Sequence, residues 1–160
     1  MSFEHSGVGL GLLAAVAAVA PAGAQTIDAR NPKGAVDALV SAGQQARLEA
    51  GKATGDPVII ATNQNFDYSI HFTGCMAKVA CTGIELYSSF TPPKRMTLVQ
   101  IADWNAKSSF GRAGFASNGD PNLTQPLVLT NGSLGRQPFI DNTNRFREAM
   151  VSMIRVALAE

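Results

Sequence analysis

Apolar and polar side chains alternate along much of the chain, with the period of two that is typical of half-buried β-strands. The clearest case runs from Phe66 to Phe72, where every second residue is aromatic or aliphatic. Residues 46–50 alternate more weakly, which predicts an edge strand or a strand with one wet face, whereas the apolar run 58–60 predicts a buried strand. The predicted strands are 46–50, 58–60, 66–72, 84–90, 110–116 and 123–130.

Helical patterns interrupt the strands at three places. Asn31 before Pro32 is a helix start signal, and Gly43 is a stop signal. Thr97 and Gln100 have the spacing of a capping box, in which each side chain bonds a free backbone amide at the helix start. Close to the C-terminus, an apolar stripe repeats at helical period and is expected to face the core. The predicted helices are 32–42, 98–108 and 138–159.

The predicted elements follow the order α-β-β-β-β-α-β-β-α. Short turns such as Gly55-Asp56-Pro57 separate successive strands, so antiparallel neighbours are expected and no parallel crossover is required. We therefore predict an α+β fold, in which an antiparallel sheet of about five to six strands packs against helices.

The N-terminal residues have the pattern of a secretory leader. An apolar run over 7–20 precedes Ala22-Gly23-Ala24, a small-x-small cleavage pattern, although the first six residues contain no Lys or Arg. The run is shorter than the roughly 20 residues of a membrane-spanning helix. We predict a signal peptide over 1–24 and a single domain over 25–160, with no stable membrane anchor after cleavage.

The distribution of charge argues against two classes of partner. After removal of 1–24 the chain keeps all 13 basic residues and 11 of the 12 acidic residues, a net charge of about +2, and the two signs are interspersed. Binding to nucleic acid or to an anionic membrane surface requires clustered positive charge. We therefore expect no nucleic acid and no membrane surface among the partners.

The chain contains two cysteines, Cys75 and Cys81, and they lie between two predicted strands. Redox-active pairs usually have the C-x-x-C spacing, and the spacing here matches no common zinc site either. His71 is the one histidine after residue 24, so we predict no metal site and no cofactor. A disulfide that clips the ends of adjacent antiparallel strands fits an exported chain, and it predicts a periplasmic or secreted protein.

Several short motifs occur in a fixed order along the chain. They are Gly55-Asp56-Pro57, Gly74-Cys75, Cys81, Trp104-Asn105, Phe110-Gly111-Arg112-Ala113 and Asp120-Pro121. Together they resemble the YbjN-type domain family of bacteria, described as sensory transduction regulators, over about residues 28–158. The resemblance implies a fold similar to that of type III secretion chaperones, an α+β sandwich that tends to dimerise. It also implies a non-enzymatic role in regulation or protein interaction, with an unknown protein partner or a second copy of the chain.

One face of strand 66–72 carries residues that suggest catalysis. Asp67, Ser69 and His71 occupy alternate positions, as in a hypothetical Ser-His-Asp site. Successive side chains on one strand face are about 6.5 Å apart, so we do not expect a hydrogen bond between nucleophile and base. An exposed strand histidine is the simpler interpretation, and we predict no catalytic residue and no enzymatic activity. The alternative is a small hydrolase or a ligand-binding periplasmic protein that uses the polar strand face around His71.

Trp104 and Arg112 are the candidate partner-binding residues, because tryptophan is enriched at binding hot spots and arginine pairs with carboxylates. The competing interpretations are that Trp104 packs the second helix onto the sheet and that Arg112 pairs with Asp103. Asn105 is expected to hydrogen-bond the turn at 108–111. The function we predict is an exported, non-enzymatic protein-interaction or regulatory module of the bacterial envelope.

Overall fold

Three helices cover one face of a six-stranded antiparallel sheet in the computed structural model, which describes residues 26–92 and 94–159. In chain order the elements are β1 (Thr26–Asp28), α1 (Pro32–Ser41), β2 (Gln45–Ala50), β3 (Pro57–Asn63), β4 (Phe66–Thr73), β5 (Gly83–Ser89), α2 (Leu98–Lys107), β6 (Arg112–Phe115), β7 (Pro121–Pro126), β8 (Ser133–Gly135) and α3 (Arg136–Leu158). The predicted α+β class is confirmed, and the predicted signal peptide lies outside the described residues. No helix among these residues is long and apolar enough to cross a membrane.

The large sheet has the strand order β2-β3-β4-β5-β7-β6, and every neighbouring pair is antiparallel. Four strands follow one another as a meander from β2 to β5, and the β6–β7 hairpin extends the sheet on the far side. The two edges are β2 and β6, which confirms the edge position predicted for residues 46–50. The strand predicted over 123–130 ends earlier, at Pro126, where the Leu127 amide bonds the Ile84 carbonyl at 2.9 Å.

A second sheet pairs β1 with β8, and the sequence pattern does not predict either strand. Each strand has three residues, which is too short for an alternation to be recognised. Their pairing also joins distant positions, with Ile27 directly opposite Leu134. This contact holds the start of the described chain beside the residues that lead into α3.

The core lies between the large sheet and the helices. Its largest fully buried side chains include Ile59, Ile70, Ile84, Leu86 and Leu123 from the sheet and Phe139, Phe146 and Met153 from α3. Within the strand predicted to be buried at 58–60, only the middle residue is buried. Val58 and Ile60 are half-buried, because in the described part of the chain no helix packs on the face to which they point. The prediction of a fully buried strand is therefore wrong.

The helix ends show which start signals act through side chains. The Gln100 amide donates to Thr97 Oγ1 at 3.2 Å and the Thr97 amide donates to Gln100 Oε1 at 2.8 Å, which confirms the capping box. Asn31 occupies the N-cap position of α1 and Pro32 is its first residue, which confirms the start signal, although the Asn31 side chain makes no capping hydrogen bond. Gly43 follows α1 with a φ of +80°, the left-handed conformation expected of a glycine stop.

Three buried side chains form a chain of hydrogen bonds that joins distant elements. The Tyr68 hydroxyl on β4 donates to Gln44 Oε1 at 2.6 Å, and Gln44 Nε2 donates to Thr143 Oγ1 on α3 at 2.9 Å. The Thr143 hydroxyl donates to the Ile140 carbonyl at 2.9 Å. Burial raises the pKa of Tyr68, so its hydroxyl remains protonated and remains a donor. Since each of these groups is costly to leave unpaired, the chain of bonds orients α3 on the sheet.

Tyr68→Phe is expected to lower the free energy of unfolding by about 1–3 kcal/mol, because it leaves the buried Gln44 oxygen without its donor. Tyr87→Phe makes the same chemical change on the uncovered face of the sheet and is expected to cost less than about 0.5 kcal/mol. Urea unfolding followed by circular dichroism measures both variants. Equal losses in the two variants would contradict the role assigned to the buried hydroxyl.

Candidate functional site

The face of the large sheet that no helix covers, in the described residues, is called here the open face. The antiparallel registers set side chains of neighbouring strands directly opposite one another, so rows of side chains cross this face. The central row is Arg47, Ile60, Ser69, Tyr87, Thr124 and Arg112, and the next row is Glu49, Val58, His71, Glu85 and Pro126. Aliphatic and aromatic side chains lie within these rows, and Arg47 and Arg112 end the central one.

Ser69 and His71 are in contact on the open face. His71 Nε2 lies 2.8 Å from Ser69 Oγ, within hydrogen-bond distance, so the expectation that these side chains do not meet is wrong. Strand side chains lean along the strand, and the imidazole spans the gap between the two backbone positions. His71 is also half-buried rather than exposed, which corrects the second expectation for this residue.

Asp67 takes no part in this contact, although it lies on the same face. Its Oδ1 accepts a hydrogen bond from the Thr62 hydroxyl at 2.7 Å. The carboxylate opposite His71 in the register is Glu85 on β5. Within residues 26–92 and 94–159 no carboxylate is hydrogen-bonded to the imidazole. The arrangement is thus a Ser–His pair without the orienting carboxylate of a catalytic triad.

The surroundings of His71 favour its neutral form. Partial burial lowers the pKa of His71, and the charge of Glu85 acts against this by raising it. The ring of Tyr87 packs edge-on against the imidazole, with 5.5 Å between the ring centres. The sequence did not predict that Glu85 and Tyr87 are neighbours of His71. Alternation assigns a residue to one face of the sheet, but only the register between strands shows which side chains stand opposite His71. A neutral imidazole beside a hydroxyl can exchange a proton or bind a polar group.

A depression of about 440 Å³ lies beside His71. The turn between β2 and β3 forms one wall, and the ends of β4 and β5 form the other. Its polar lining residues include Lys52, Thr54, Asp56, His71, Thr73 and Glu85. Both signs of charge therefore meet at this end of the open face. In the described part of the chain no group of three or more His, Cys, Asp or Glu side chains is arranged to hold a metal ion.

The loop between β4 and β5 is closed by a disulfide bond between Cys75 and Cys81. Ala77 and Lys78, at the loop tip, have φ angles of +52° and +65°, a left-handed conformation that is costly for residues other than glycine. The large apolar side chains exposed at this tip are Met76 (71%) and Val79 (63%). The covalent ring thus holds a strained, apolar tip beyond the end of the sheet.

The comparison with known families finds one family model that covers most of the described chain. Residues 36–158 match the model of the YbjN family, described as "Putative bacterial sensory transduction regulator". The chain belongs to the YbjN family. The match runs from within α1 to the end of α3 and includes the whole large sheet, which confirms the resemblance carried by the ordered motifs. Neither the curated proteins nor the solved structures contain a significant match.

In this YbjN chain the indole of Trp104 is buried, with 4% of the residue exposed. Its Nε1 donates to Ser152 Oγ at 3.2 Å, so Trp104 ties α2 to α3, whereas the sequence suggested packing onto the sheet. The indole also lines a groove of about 280 Å³ between these helices, with Asp103 and Lys107 at its rim. A partner could reach Trp104 only through this groove, and its role in partner binding stays a prediction.

Arg112 is exposed at the β6 edge of the YbjN sheet. Its Nη1 donates to the Gly111 carbonyl at 3.1 Å. The expected ion pair with Asp103 is not formed within the described residues. The guanidinium therefore remains at the edge of the open face, where a carboxylate of a partner can approach it, and this role also stays a prediction.

Asn105 connects α2 to β6. Its Nδ2 donates to the Ala113 carbonyl at 3.0 Å, and the Ala113 amide donates back to Asn105 Oδ1 at 2.8 Å. The prediction that Asn105 bonds the turn at 108–111 is therefore wrong by two residues. The structural role expected of Asn105 is retained, because the paired bonds fix an edge strand to the helix beside it.

His71 makes the stability of the YbjN domain depend on pH. Its pKa in the folded state lies below the ordinary value of about 6.5, so the unfolded chain takes up a proton first as the pH falls. The stabilising contribution is complete above about pH 6.5 and is lost as the pH falls toward the folded-state pKa. His71→Gln is expected to reduce the difference between the unfolding free energies measured at about pH 7.5 and about pH 5.5.

Two measurements accompany this comparison. Ser69→Ala leaves the imidazole in place, so most of the difference between the unfolding free energies at the two pH values is expected to remain. A nuclear magnetic resonance titration of the His71 ring measures its pKa directly. A value at or above that of an unstructured histidine would refute the assignment.

Proposed function

We propose that this protein is an exported, non-enzymatic regulatory module of the bacterial envelope that binds a protein partner on its open face. The observation that carries the proposal is the open face itself, a sheet surface of six strands with half-buried apolar side chains and charged ends. Membership of the YbjN family supports a regulatory role, since the family description names regulation and no enzymatic activity.

The shape of the open face favours a macromolecule as its occupant. Six strands spaced about 4.8 Å apart give a surface about 25 Å across, which is wide for a small molecule and typical of one side of a protein interface. Interface centres are rich in aromatic side chains and poor in charge, and their rims are polar. In the central row Ile60 and Tyr87 lie between Arg47 and Arg112, which stand at the two edges, so this row has such a distribution.

Export is supported by two independent features. The first is the leader pattern over residues 1–24, and the second is the disulfide between Cys75 and Cys81, a bond that persists in oxidising compartments. Protein purified from the periplasm or the medium is expected to begin at Gln25 and to show no reactive thiol before reduction and two after it. N-terminal sequencing and thiol titration make the measurement. Two reactive thiols in the native exported protein would contradict the disulfide, and an intact leader would contradict cleavage after Ala24.

A photo-reactive amino acid placed at position 60 is expected to cross-link the protein to one discrete partner in intact cells, because Ile60 is an apolar member of the central row, between Arg47 and Ser69. The same amino acid at position 33 is the matched control, since Lys33 is exposed on α1, on the helical side of the sheet. Mass spectrometry of the cross-linked band identifies the partner. Equal cross-linking from positions 60 and 33 would contradict the assignment of the open face as the partner-binding surface.

A second variant tests whether the apolar centre is required. Tyr87→Lys places a charge in the central row, two strands from position 60 and on the other side of Ser69. It is expected to abolish the cross-link while leaving circular dichroism and thermal unfolding nearly unchanged, since Tyr87 is half-buried on a solvated face. An unchanged cross-link would show that the partner does not contact the centre of the face.

A second candidate function is favoured by the Ser69–His71 contact and the adjacent depression of about 440 Å³. These would serve a ligand-binding protein or a small hydrolase in which the imidazole activates the Ser69 hydroxyl. Ser69→Ala and His71→Gln separate the two candidates. A partner-binding protein is expected to keep its cross-link and to rescue a deletion strain with either substitution, whereas a hydrolase would lose the rescue with both.

A further inference from the structure

The edge strand β2 has one side without a pairing partner among the described residues. Its six residues pair without interruption to β3, from Gln45 opposite Thr62 to Ala50 opposite Pro57. Edge strands are normally protected by proline, by a bulge or by inward-pointing charge, because their free amides and carbonyls can pair with another chain. In β2 no proline and no bulge interrupts the register, so the strand is open to pairing.

The alternation of hydrogen bonds shows which backbone groups of β2 point outward. The Gly51 amide donates to the Asp56 carbonyl at 2.8 Å, so this pair, which continues the β2–β3 register, is a hydrogen-bonded pair. In an antiparallel ladder such pairs alternate with non-bonded pairs. Glu49 and Arg47 therefore direct their backbone groups toward β3. The residues that direct their amides and carbonyls to the free edge are Ala46, Leu48 and Ala50.

The sequence of β2 is complementary to itself in antiparallel orientation. The segment Ala46-Arg47-Leu48-Glu49-Ala50 is symmetric in size about Leu48 and opposite in charge. A second copy aligned on Leu48 sets each Arg47 opposite Glu49 of the other copy. The residues with outward backbone groups then become the hydrogen-bonded pairs. The charged residues become the non-bonded pairs, whose side chains approach more closely.

The contacts that β2 makes within one chain do not oppose this pairing. Arg47 Nε and Glu49 Oε1 form an ion pair at 2.7 Å, but both side chains are exposed, and such pairs contribute little to stability. Exchange of the one such contact in each copy for two contacts between the copies is therefore nearly free of cost. On the other face of the strand Leu48 is 47% exposed, and Val40 on the neighbouring helix α1 is exposed as well, so apolar surface is available to be buried.

We propose that two copies of the protein pair through β2, antiparallel and centred on Leu48, to form one continuous sheet of twelve strands. The interface is two-fold symmetric, and each copy presents the same strand to the other. The pairing goes beyond the binding of an envelope partner, because it uses the edge of the sheet and leaves the centre of the open face free. It also sets two open faces side by side.

A cysteine scan tests the register. In the proposed dimer Leu48 lies opposite its own copy, at the separation of about 5.5 Å that allows a disulfide. Leu48→Cys is therefore expected to cross-link two chains under mild oxidation on a non-reducing gel. Ala46→Cys, on the same face of the strand, is expected not to do so, because the two residues 46 would be about 14 Å apart. Cross-linking of both variants or of neither would overturn the proposed register.

A charge exchange tests the same interface without new thiols. Arg47→Glu or Glu49→Arg sets like charges opposite each other at two symmetric places, and each is expected to raise the dimer dissociation constant by about tenfold. The double variant Arg47→Glu/Glu49→Arg restores opposite charges and is expected to restore the original dissociation constant. Arg155→Glu, a reversal on exposed α3, is the control and is expected to have no effect. Sedimentation equilibrium measures all four.

The outcomes separate this proposal from the proposed partner. A purified protein that stays monomeric at every concentration, or a double variant no tighter than the single ones, overturns the β2 dimer and leaves the cross-link at position 60 unaffected. Loss of the partner cross-link, with dimerisation retained, overturns the proposed function alone.

Discussion

The large sheet buries one face and leaves the other in solvent, and the rest of the structure depends on this asymmetry. Every strand alternates, so the same backbone that directs Ile70 and Leu86 into the core directs Ser69 and Tyr87 to the open face. Burial of the first set supplies the hydrophobic stabilisation. The side chains of the second set remain in contact with solvent, so polar and charged groups among them carry little desolvation cost. Such groups would be excluded from a sheet that is buried on both faces.

The helices complete the buried side by different means. α3 supplies large apolar side chains, and its Thr143 joins the hydrogen-bond chain that begins at Tyr68. α2 is short and is held by two specific polar contacts, from Trp104 to Ser152 and from Asn105 to Ala113. Hydrophobic packing sets the helix against the sheet, and such directional bonds select one orientation among several of similar burial.

Two features that act within a few residues could be predicted from the sequence. The strand from Phe66 and the capping box at Thr97 follow from side-chain period and from a contact between positions three residues apart. Asn31 shows the limit of the same reasoning, because a capping bond requires a backbone geometry that residue type alone does not impose.

Features that depend on register could not be predicted. His71 and Glu85 are assigned to a face by alternation, but which strands pair, and with what offset, is decided by the whole core. The ring contact between His71 and Tyr87 follows from the pairing of β4 with β5, and the two-stranded sheet of β1 and β8 follows from a pairing of distant segments. The sequence thus predicted which residue types lie on this face, but it did not predict which side chains contact one another.

The disulfide has a consequence for the fidelity of folding. If the pairing of Thr73 with Gly83 is continued outward by two residues on each strand, Cys75 stands opposite Cys81, and the bridge between Met76 and Ala80 follows the same offset. A slip of one residue between β4 and β5 would turn the whole apolar set of one strand to the wrong face, and it would also move the two sulfur atoms out of alignment. The disulfide therefore forms readily only in the correct register of β4 and β5, and once formed it stabilises that register, which is the one in which the core can form.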